Sequence, residues 1–183
     1  MKKGVYGLFK LLNISYKLKM DISLKRKIVI KIKKIISKIV LFFLYKGFKV
    51  TYKYDENVKK EIDSWKDGFS FTVDTGQKNI FLTLKKENGK IVRVKNMQDV
   101  DIEIVFKSLD VAFLMFTGRL GVSKAYAEHR FTLKGEIGEA MSIVRCMDIV
   151  EAYLFPEIIT RNILKAQPSK KIGILRTYLL TLF

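Results

Sequence analysis

The sequence predicts an α+β fold in which helices pack against a mostly antiparallel five-stranded sheet. Five short runs between residues 69 and 133 alternate apolar and polar side chains with period two, which is typical of strands with one buried face. Longer runs before and after them repeat apolar residues with helical spacing. Thr75-Gly76-Gln77 and Asn88-Gly89, between the first three strands, are turn sequences. These strands are therefore expected to form an antiparallel meander.

The N-terminal segment, residues 1–50, is predicted to be a basic helical extension, and residues 51–183 are assigned to the domain. The extension carries 14 lysines and arginines and one acid, Asp21, a net charge of +13. Residues 51–183 carry 21 basic and 17 acidic side chains, a net charge of +4. Such asymmetry points to a polyanionic surface, either a membrane or a nucleic acid.

Two helices are predicted within the extension, over residues 1–20 and 24–46, and Gly47 is expected to end the second. The local run Lys27-Ile-Val-Ile-Lys-Ile32 also fits a strand, because β-branched residues are weak helix formers. On a helical projection, one face of the second helix is apolar and consists of Ile28, Val29, Ile32, Ile35, Ile36, Ile39, Phe42 and Phe43. The opposite face carries Lys27, Lys31, Lys34 and Lys38, and Leu41 and Leu44 fall on the same side.

Three interpretations of this lysine face stay open. It is a solvated face of a helix packed on its own domain, an interfacial helix docked on anionic lipid, or a contact with nucleic acid. Each basic group near an anionic membrane contributes on the order of 1 kcal/mol, and the apolar face is suited to insertion. Nucleic acid is disfavoured as a partner, because the segment has few arginines and its aromatic residues cluster on the apolar side.

The remaining elements follow in order along the chain. Helices are expected over residues 54–67, 108–116, 124–128 and 136–154. Strands are expected over residues 69–74, 80–85, 90–95, 101–106 and 131–133. The tail ends in an amphipathic segment, Ile172–Phe183, which is long and apolar enough either to plug a cavity or to form a homodimer contact.

The sequence offers no support for catalysis, a metal or a cofactor. One cysteine, Cys146, and one histidine, His129, leave no basis for a disulfide, a cysteine zinc site or a histidine-rich metal site. Lysines interrupt the apolar start of the chain, which argues against a signal peptide. The longest uncharged apolar stretch, Ile39–Tyr45, falls short of the roughly 20 residues of a membrane span. A cytoplasmic location, peripheral to the membrane if the basic helix docks there, is the simplest interpretation.

Four short motifs occur in the same order as in a known family. They are Val100-Asp-Ile-Glu-Ile104, Thr117-Gly118-Arg119-Leu120, Ser123-Lys-Ala-Tyr126, and Phe131-Thr-Leu-Lys-Gly135 followed by Met141. With the order of elements, they make residues 54–154 resemble the sterol carrier protein type-2 domain. The resemblance implies a five-stranded sheet with helices on one face that enclose an apolar tunnel. It also implies binding of sterols, fatty acids or other lipids without covalent chemistry.

Candidate ligand contacts follow from this resemblance, with ordinary core packing as the alternative for each residue. From the sheet they are Phe71, Leu82, Val94, Ile104 and Phe106; from the helices they are Phe113, Phe116, Met141, Val144 and Met147. Asp148 and Glu151 fall on the apolar stripe of the last long helix. They lie at a pocket mouth, meet lysines of the extension, or mark where that helix leaves the core.

The predicted function is non-catalytic binding, either alone or together with transfer, of a lipid or other hydrophobic ligand such as a fatty-acyl or sterol-like molecule. The basic helix, through Lys27, Lys31, Lys34 and Lys38, would dock the carrier on an anionic membrane. The alternative is an accessory or scaffold protein that presents a lipid-like intermediate to partner enzymes.

Overall fold

Five strands and six helices make up the part of the chain that the computed structural model describes, residues 2–95, 99–155, 157, 160, 161, 164 and 170–182. The predicted α+β class is confirmed. The helices are α1 (Lys2–Tyr54), α2 (Glu56–Ser64), α3 (Leu109–Phe116), α4 (Val122–Ala127), α5 (Ile137–Leu154) and α6 (Ile174–Leu182). The strands are β1 (Ser70–Asp74), β2 (Phe81–Glu87), β3 (Lys90–Val94), β4 (Ile102–Phe106) and β5 (Phe131–Lys134). The chain divides into two compact units, Met1–Ile35 and Ile36–Phe183, with the boundary inside α1.

The sheet has the strand order β3-β2-β1-β4-β5. Strands β1, β2 and β3 form the predicted antiparallel meander, and β4 pairs antiparallel with β5. The central pair, β1 with β4, is parallel, and Phe71 lies opposite Ile102. Three of the four strand pairs are thus antiparallel, in agreement with the predicted sheet. The turn from β2 to β3 has positive φ at Asn88 (50°) and Gly89 (67°), as in the type I′ turns that close tight hairpins.

Helix α1 differs from its prediction. It runs without interruption from Lys2 to Tyr54, so the predicted break near residue 20 and the predicted end at Gly47 are wrong, as is the strand alternative near Lys27. Gly47 is buried, and a Cβ atom added there would lie 2.6 Å from Cγ1 of Val150 on α5. The glycine therefore serves the close approach of two helices rather than a helix end.

A carboxylate sets the junction between α1 and α2. Asp55 caps α2, because its Oδ1 atom accepts hydrogen bonds from the backbone N–H groups of Asn57 (3.0 Å) and Val58 (3.2 Å). Its Oδ2 atom accepts a hydrogen bond from the Tyr153 hydroxyl at 2.8 Å. The same hydroxyl accepts a bond from the backbone N–H of Lys171 at 2.7 Å. One buried carboxylate therefore joins the helix junction, α5 and the start of the tail.

The hydrophobic core runs along the sheet and includes buried side chains of β1, β2, β3 and β4. Leu41, Leu44 and Phe48 of α1 are buried there, and the Phe48 ring lies 5.6 Å from that of Phe71. The buried face of α1 in this unit is therefore the side that also carries Lys38. The opposite face, predicted as the apolar stripe, is exposed along Ile28, Val29, Ile32, Ile35, Ile39 and Phe42.

A polar network joins α2 to α5 beside this core. The indole Nε1–H of Trp65 donates to Oγ of Ser142 (2.8 Å), which donates to Oε2 of Glu61 (2.7 Å). The Arg145 guanidinium holds both carboxylate oxygens of Glu61, at 2.6 and 2.9 Å. This charged pair holds the pKa of Glu61 below its usual value. The network holds α5 against α2, and the opposite side of α5 forms one wall of a cavity over the sheet.

Candidate functional site

A cavity of about 380 Å³ lies between the β1–β4–β5 part of the sheet and helices α3, α4 and α5. The sheet contributes Val73, Ile104, Phe106, Phe131 and Leu133. The helices and their connections contribute Met115, Phe116, Val122, Ser123, Tyr126, Ile137, Ala140, Met141, Val144, Met147 and Glu151. Every lining residue except Ser123, Tyr126 and Glu151 has an apolar side chain. The volume and the composition are those of a site for a small hydrophobic ligand.

Strand register produces the sheet wall of the cavity. Ile104 of β4 lies opposite Val73 of β1 on one side and Leu133 of β5 on the other. Phe106 lies opposite Phe131, two positions further along. Because alternate residues of a strand point to the same face, these five side chains form two rows on one face of the sheet. The alternation visible in the sequence thus becomes a continuous apolar wall.

The helical wall has an exposed end and a buried end. Along α5, Ile137, Met141, Val144, Met147 and Glu151 recur at intervals of three and four and so share one helix face. Ile137 and Met141 are 60% and 50% exposed although they line the cavity. Tyr126 of α4 is 55% exposed beside them. These three residues mark the opening of the cavity, between α4 and the first turns of α5.

A second cavity, of about 200 Å³, adjoins the buried end. Its lining comes from α1, α5, α6 and their neighbours and consists of Ile39, Val40, Phe43, Leu44, Phe116, Met147, Glu151, Leu154, Phe155 and Tyr178. Phe116, Met147 and Glu151 line both cavities, so three side chains separate the two spaces. The arrangement is two adjoining cavities; a continuous tunnel, the predicted form, is not shown.

Six of the ten residues predicted from the sequence as ligand contacts line the first cavity: Ile104, Phe106, Phe116, Met141, Val144 and Met147. The other four lie elsewhere. Phe71 and Leu82 are fully buried core residues outside the cavity lining, and Val94 lies on the edge strand β3. Phe113 lies on α3 with the Arg119 guanidinium 5.9 Å from its ring centroid. The sequence did contain the signal for two residues that were missed, since Phe131 and Leu133 share one face of a predicted strand.

Among the described residues that line the two cavities, Glu151 is the one with a carboxyl group, and it lines both. Burial among apolar side chains is the main cause that raises its pKa from the usual 4.5 to about 8, and the charge of Asp148 adds to the effect. At neutral pH the group is therefore mostly protonated and uncharged. It can donate one hydrogen bond and accept others.

The residues considered for chemistry lie apart from the cavity lining. Cys146 is fully buried, and burial raises the pKa of its thiol to about 12, which leaves it without nucleophilic character. His129 is exposed in the turn between α4 and β5, with a positive φ of 52°. No group of three or more potential metal ligands occurs within the described ranges.

The basic face of α1 is accessible to solvent. Lys27, Lys31 and Lys38 are exposed, and Lys34 is partly buried. Within residues 22–35 the apolar side chains Ile28 and Ile32 are each 50% exposed. In the part of the chain that the structure describes, no helix combines the length and apolarity that crossing a bilayer requires.

The chain is similar to proteins of one family. The family model described as the SCP-2 sterol transfer family matches residues 48–148, more than half of the chain. A search of curated proteins found no match. Among solved structures, a UbiJ-SCP2 ubiquinone synthesis protein is 12% identical with a TM-score of 0.41, over 58% of this chain and 95% of that one. The sterol carrier protein domain 2 of Helicoverpa armigera is 14% identical with a TM-score of 0.41, over 61% and 88%.

Proposed function

Because this chain belongs to the SCP-2 sterol transfer family, we propose that it binds a fatty-acyl or sterol-like lipid in the first cavity and carries it without catalysis. One observation supports the proposal most strongly. The cavity of about 380 Å³ has an almost wholly apolar lining and opens where Tyr126, Ile137 and Met141 are exposed.

The energetics of such binding need few directional contacts. Each buried methylene contributes about 0.8 kcal/mol, so about ten methylenes contribute about 8 kcal/mol before the costs of association. Met141 and Met147, which line the cavity, have flexible side chains that adapt to ligands of different shape. A chain-like or ring-like lipid is therefore the ligand class that this lining fits.

The test measures binding of a fluorescent acyl probe to the full chain. Val144→Trp places a large side chain into the cavity and should weaken probe binding at least tenfold. Leu114→Trp, on the exposed side of α3 and outside the lining, is the matched control and should bind as the unaltered chain does. Circular dichroism checks that both variants fold. The carrier proposal fails if the probe does not bind and native mass spectrometry finds no lipid carried over from the expression host.

We further propose that α1 docks the carrier on an anionic membrane, as a cytoplasmic protein peripheral to that membrane. Four basic groups, at about 1 kcal/mol each near such a surface, would contribute about 4 kcal/mol at low salt. They are Lys27, Lys31, Lys34 and Lys38. The exposed isoleucines of the same helix supply apolar area for insertion. In this proposal, residues 1–50 form the docking extension and residues 51–183 the lipid-binding domain.

Vesicle co-sedimentation tests the docking separately from lipid binding. The full chain should bind vesicles with about 30% phosphatidylserine at low salt and leave pure phosphatidylcholine vesicles in solution. Replacing the four lysines with glutamine should abolish this binding, whereas Lys59→Gln with Lys60→Gln, on the exposed side of α2, should not. If the full chain does not bind anionic vesicles, the docking proposal fails, whereas the lipid-binding proposal is unaffected. Partner enzymes that co-purify, together with no transfer between vesicles, would favour the accessory function instead.

A further inference from the structure

The polar groups of the first cavity are divided between its two ends. Ser123 and Tyr126 lie at the opening, where both are exposed. Glu151 lies 14 positions beyond Ile137 on the same face of α5, about 21 Å further along the helix axis. Between them the α5 wall is apolar. A ligand that lies along α5 therefore meets its one internal polar contact at Glu151.

The Glu151 carboxyl forms no side-chain hydrogen bond with any other described residue. The residues of α1 and α3 that share its cavities are apolar. From α6 the titratable group is the Tyr178 hydroxyl, which already donates a hydrogen bond to the carbonyl of Leu154. On α5 itself the charged neighbour is Asp148, which acts on Glu151 as a like charge. No lysine or arginine lines either cavity in the described part of the chain.

A carboxyl group in an apolar wall with no cation beside it is held most easily in its neutral form. Burial accordingly raises the pKa of Glu151 to about 8. The neutral group has an O–H donor to which a ligand oxygen can act as acceptor. A carboxylate ligand would bring a negative charge out of water into a space whose described lining holds no lysine or arginine. A ligand oxygen without charge avoids this cost.

Resting on the proposed lipid-binding function, we propose that Glu151 recognises the polar end of the ligand and selects an amphiphile whose internal end is an uncharged carbonyl or hydroxyl oxygen. The ligand then enters with its polar end first and leaves its hydrocarbon part along α5 toward the opening. Phe116 and Met147, which also line both cavities, flank this contact.

The experiment compares four ligands of equal chain length by displacement of a fluorescent acyl probe from the full chain. They are 2-dodecanone, 1-dodecanol, dodecanoate and dodecylamine. At pH 6.5 the ketone and the alcohol should bind about tenfold more tightly than dodecanoate or dodecylamine, the value of about one hydrogen bond. Between about pH 7 and pH 9 the affinity for the ketone should fall, because an ionised Glu151 cannot donate.

Variants separate the contact from general packing. Glu151→Gln keeps a donor that does not titrate, so it should bind the ketone with an affinity that no longer changes with pH. Glu151→Leu should lose about tenfold in ketone affinity at pH 6.5. Glu139→Gln, on α5 but outside the lining of both cavities, should keep both the ligand preference and the pH dependence.

Each outcome has one meaning. Tighter binding of dodecylamine would show an ionised cation site and overturn the inference, as would equal affinity for all four ligands or an unchanged pH profile in Glu151→Gln. In each of those cases binding itself would still support the carrier function. Failure of every ligand and of the probe to bind would overturn the carrier function and this inference together.

Discussion

Replacing Gly47 with alanine tests the close approach of α1 to α5. A Cβ atom at this position would lie 2.6 Å from Cγ1 of Val150 and 3.1 Å from Cδ1 of Leu154. Carbon atoms in contact lie about 3.5–4.0 Å apart. The added methyl group therefore overlaps Val150 by about 1 Å, and α1 and α5 must move apart to accommodate it.

Two opposing contributions determine the size of the effect. Forcing a methyl group into a packed interface costs about 1–3 kcal/mol. Alanine in place of glycine in a helix interior returns about 0.8–1 kcal/mol. The expected net result for Gly47→Ala is a loss of about 1 kcal/mol in the free energy of unfolding. In a Val150→Ala background the Cγ1 contact is absent, so the same substitution should be neutral or stabilising.

Urea unfolding, followed by the fluorescence of Trp65, measures all four proteins of this cycle; Trp65 is the one tryptophan of the sequence. Residues in direct contact give coupling energies of about 0.5–3 kcal/mol, and a value of about 1 kcal/mol between positions 47 and 150 is expected. The reasoning is refuted if Gly47→Ala stabilises the chain by about 1 kcal/mol, as at an exposed helix glycine, or if the two substitutions are additive.

Three further predictions concern other buried groups. Burial raises the pKa of the Cys146 thiol to about 12. At pH 8 the thiol should therefore react with a thiolate-directed reagent at least a hundredfold more slowly in the native chain than in urea, measured by absorbance. Equal rates would contradict its burial. Ser142→Ala should lower the free energy of unfolding by about 1–3 kcal/mol, because it leaves the Trp65 indole N–H without its acceptor and removes one of the two hydrogen bonds to Oε2 of Glu61. An unchanged urea midpoint would show that water replaces the hydroxyl. Glu151→Gln should raise the free energy of unfolding relative to the unaltered chain, increasingly between pH 4.5 and 8, because the native carboxyl keeps a proton that the unfolded chain releases. At 1.36 kcal/mol per pKa unit, the difference between the two proteins reaches roughly 5 kcal/mol above pH 8. Parallel curves of unfolding free energy against pH would contradict the raised pKa.

Local patterns in the sequence were enough to locate the strands. Alternation and turn residues placed all five within about two residues of their observed ends, because both depend on neighbouring side chains and backbone angles. The parallel pairing of β1 with β4 left no such local signal, since it joins strands about 30 residues apart. Gly47 was misinterpreted for the same reason. In the local sequence this glycine is typical of a helix end, whereas in the fold a glycine is needed because the side chain of Val150 on α5 lies too close for a Cβ atom.

The candidate site was predictable only in part, because one apolar face of the sheet serves two purposes. At one end it packs into solid core, where the Phe71 ring contacts Phe48 of α1 and Trp65. Under α3, α4 and α5 it lines the cavity, where Ile104 and Phe106 lie. Alternation shows which face a residue occupies but not which helix covers it. A similar ambiguity affected α1, which has apolar side chains on two faces. The face with Leu41 is buried, and the face with Ile39 is exposed.

The central place of β1 has a consequence for how this chain is made. Synthesis delivers β1, β2 and β3 before β4, so a growing chain that stops short of residue 102 has a three-stranded sheet in which β1 is an edge. Ser70, Phe71, Thr72 and Val73, all buried in the finished protein, would then present unpaired backbone groups along an apolar strand. Such an edge is a template for pairing with other chains. Truncations that end before β4 should therefore aggregate more readily than the full chain does.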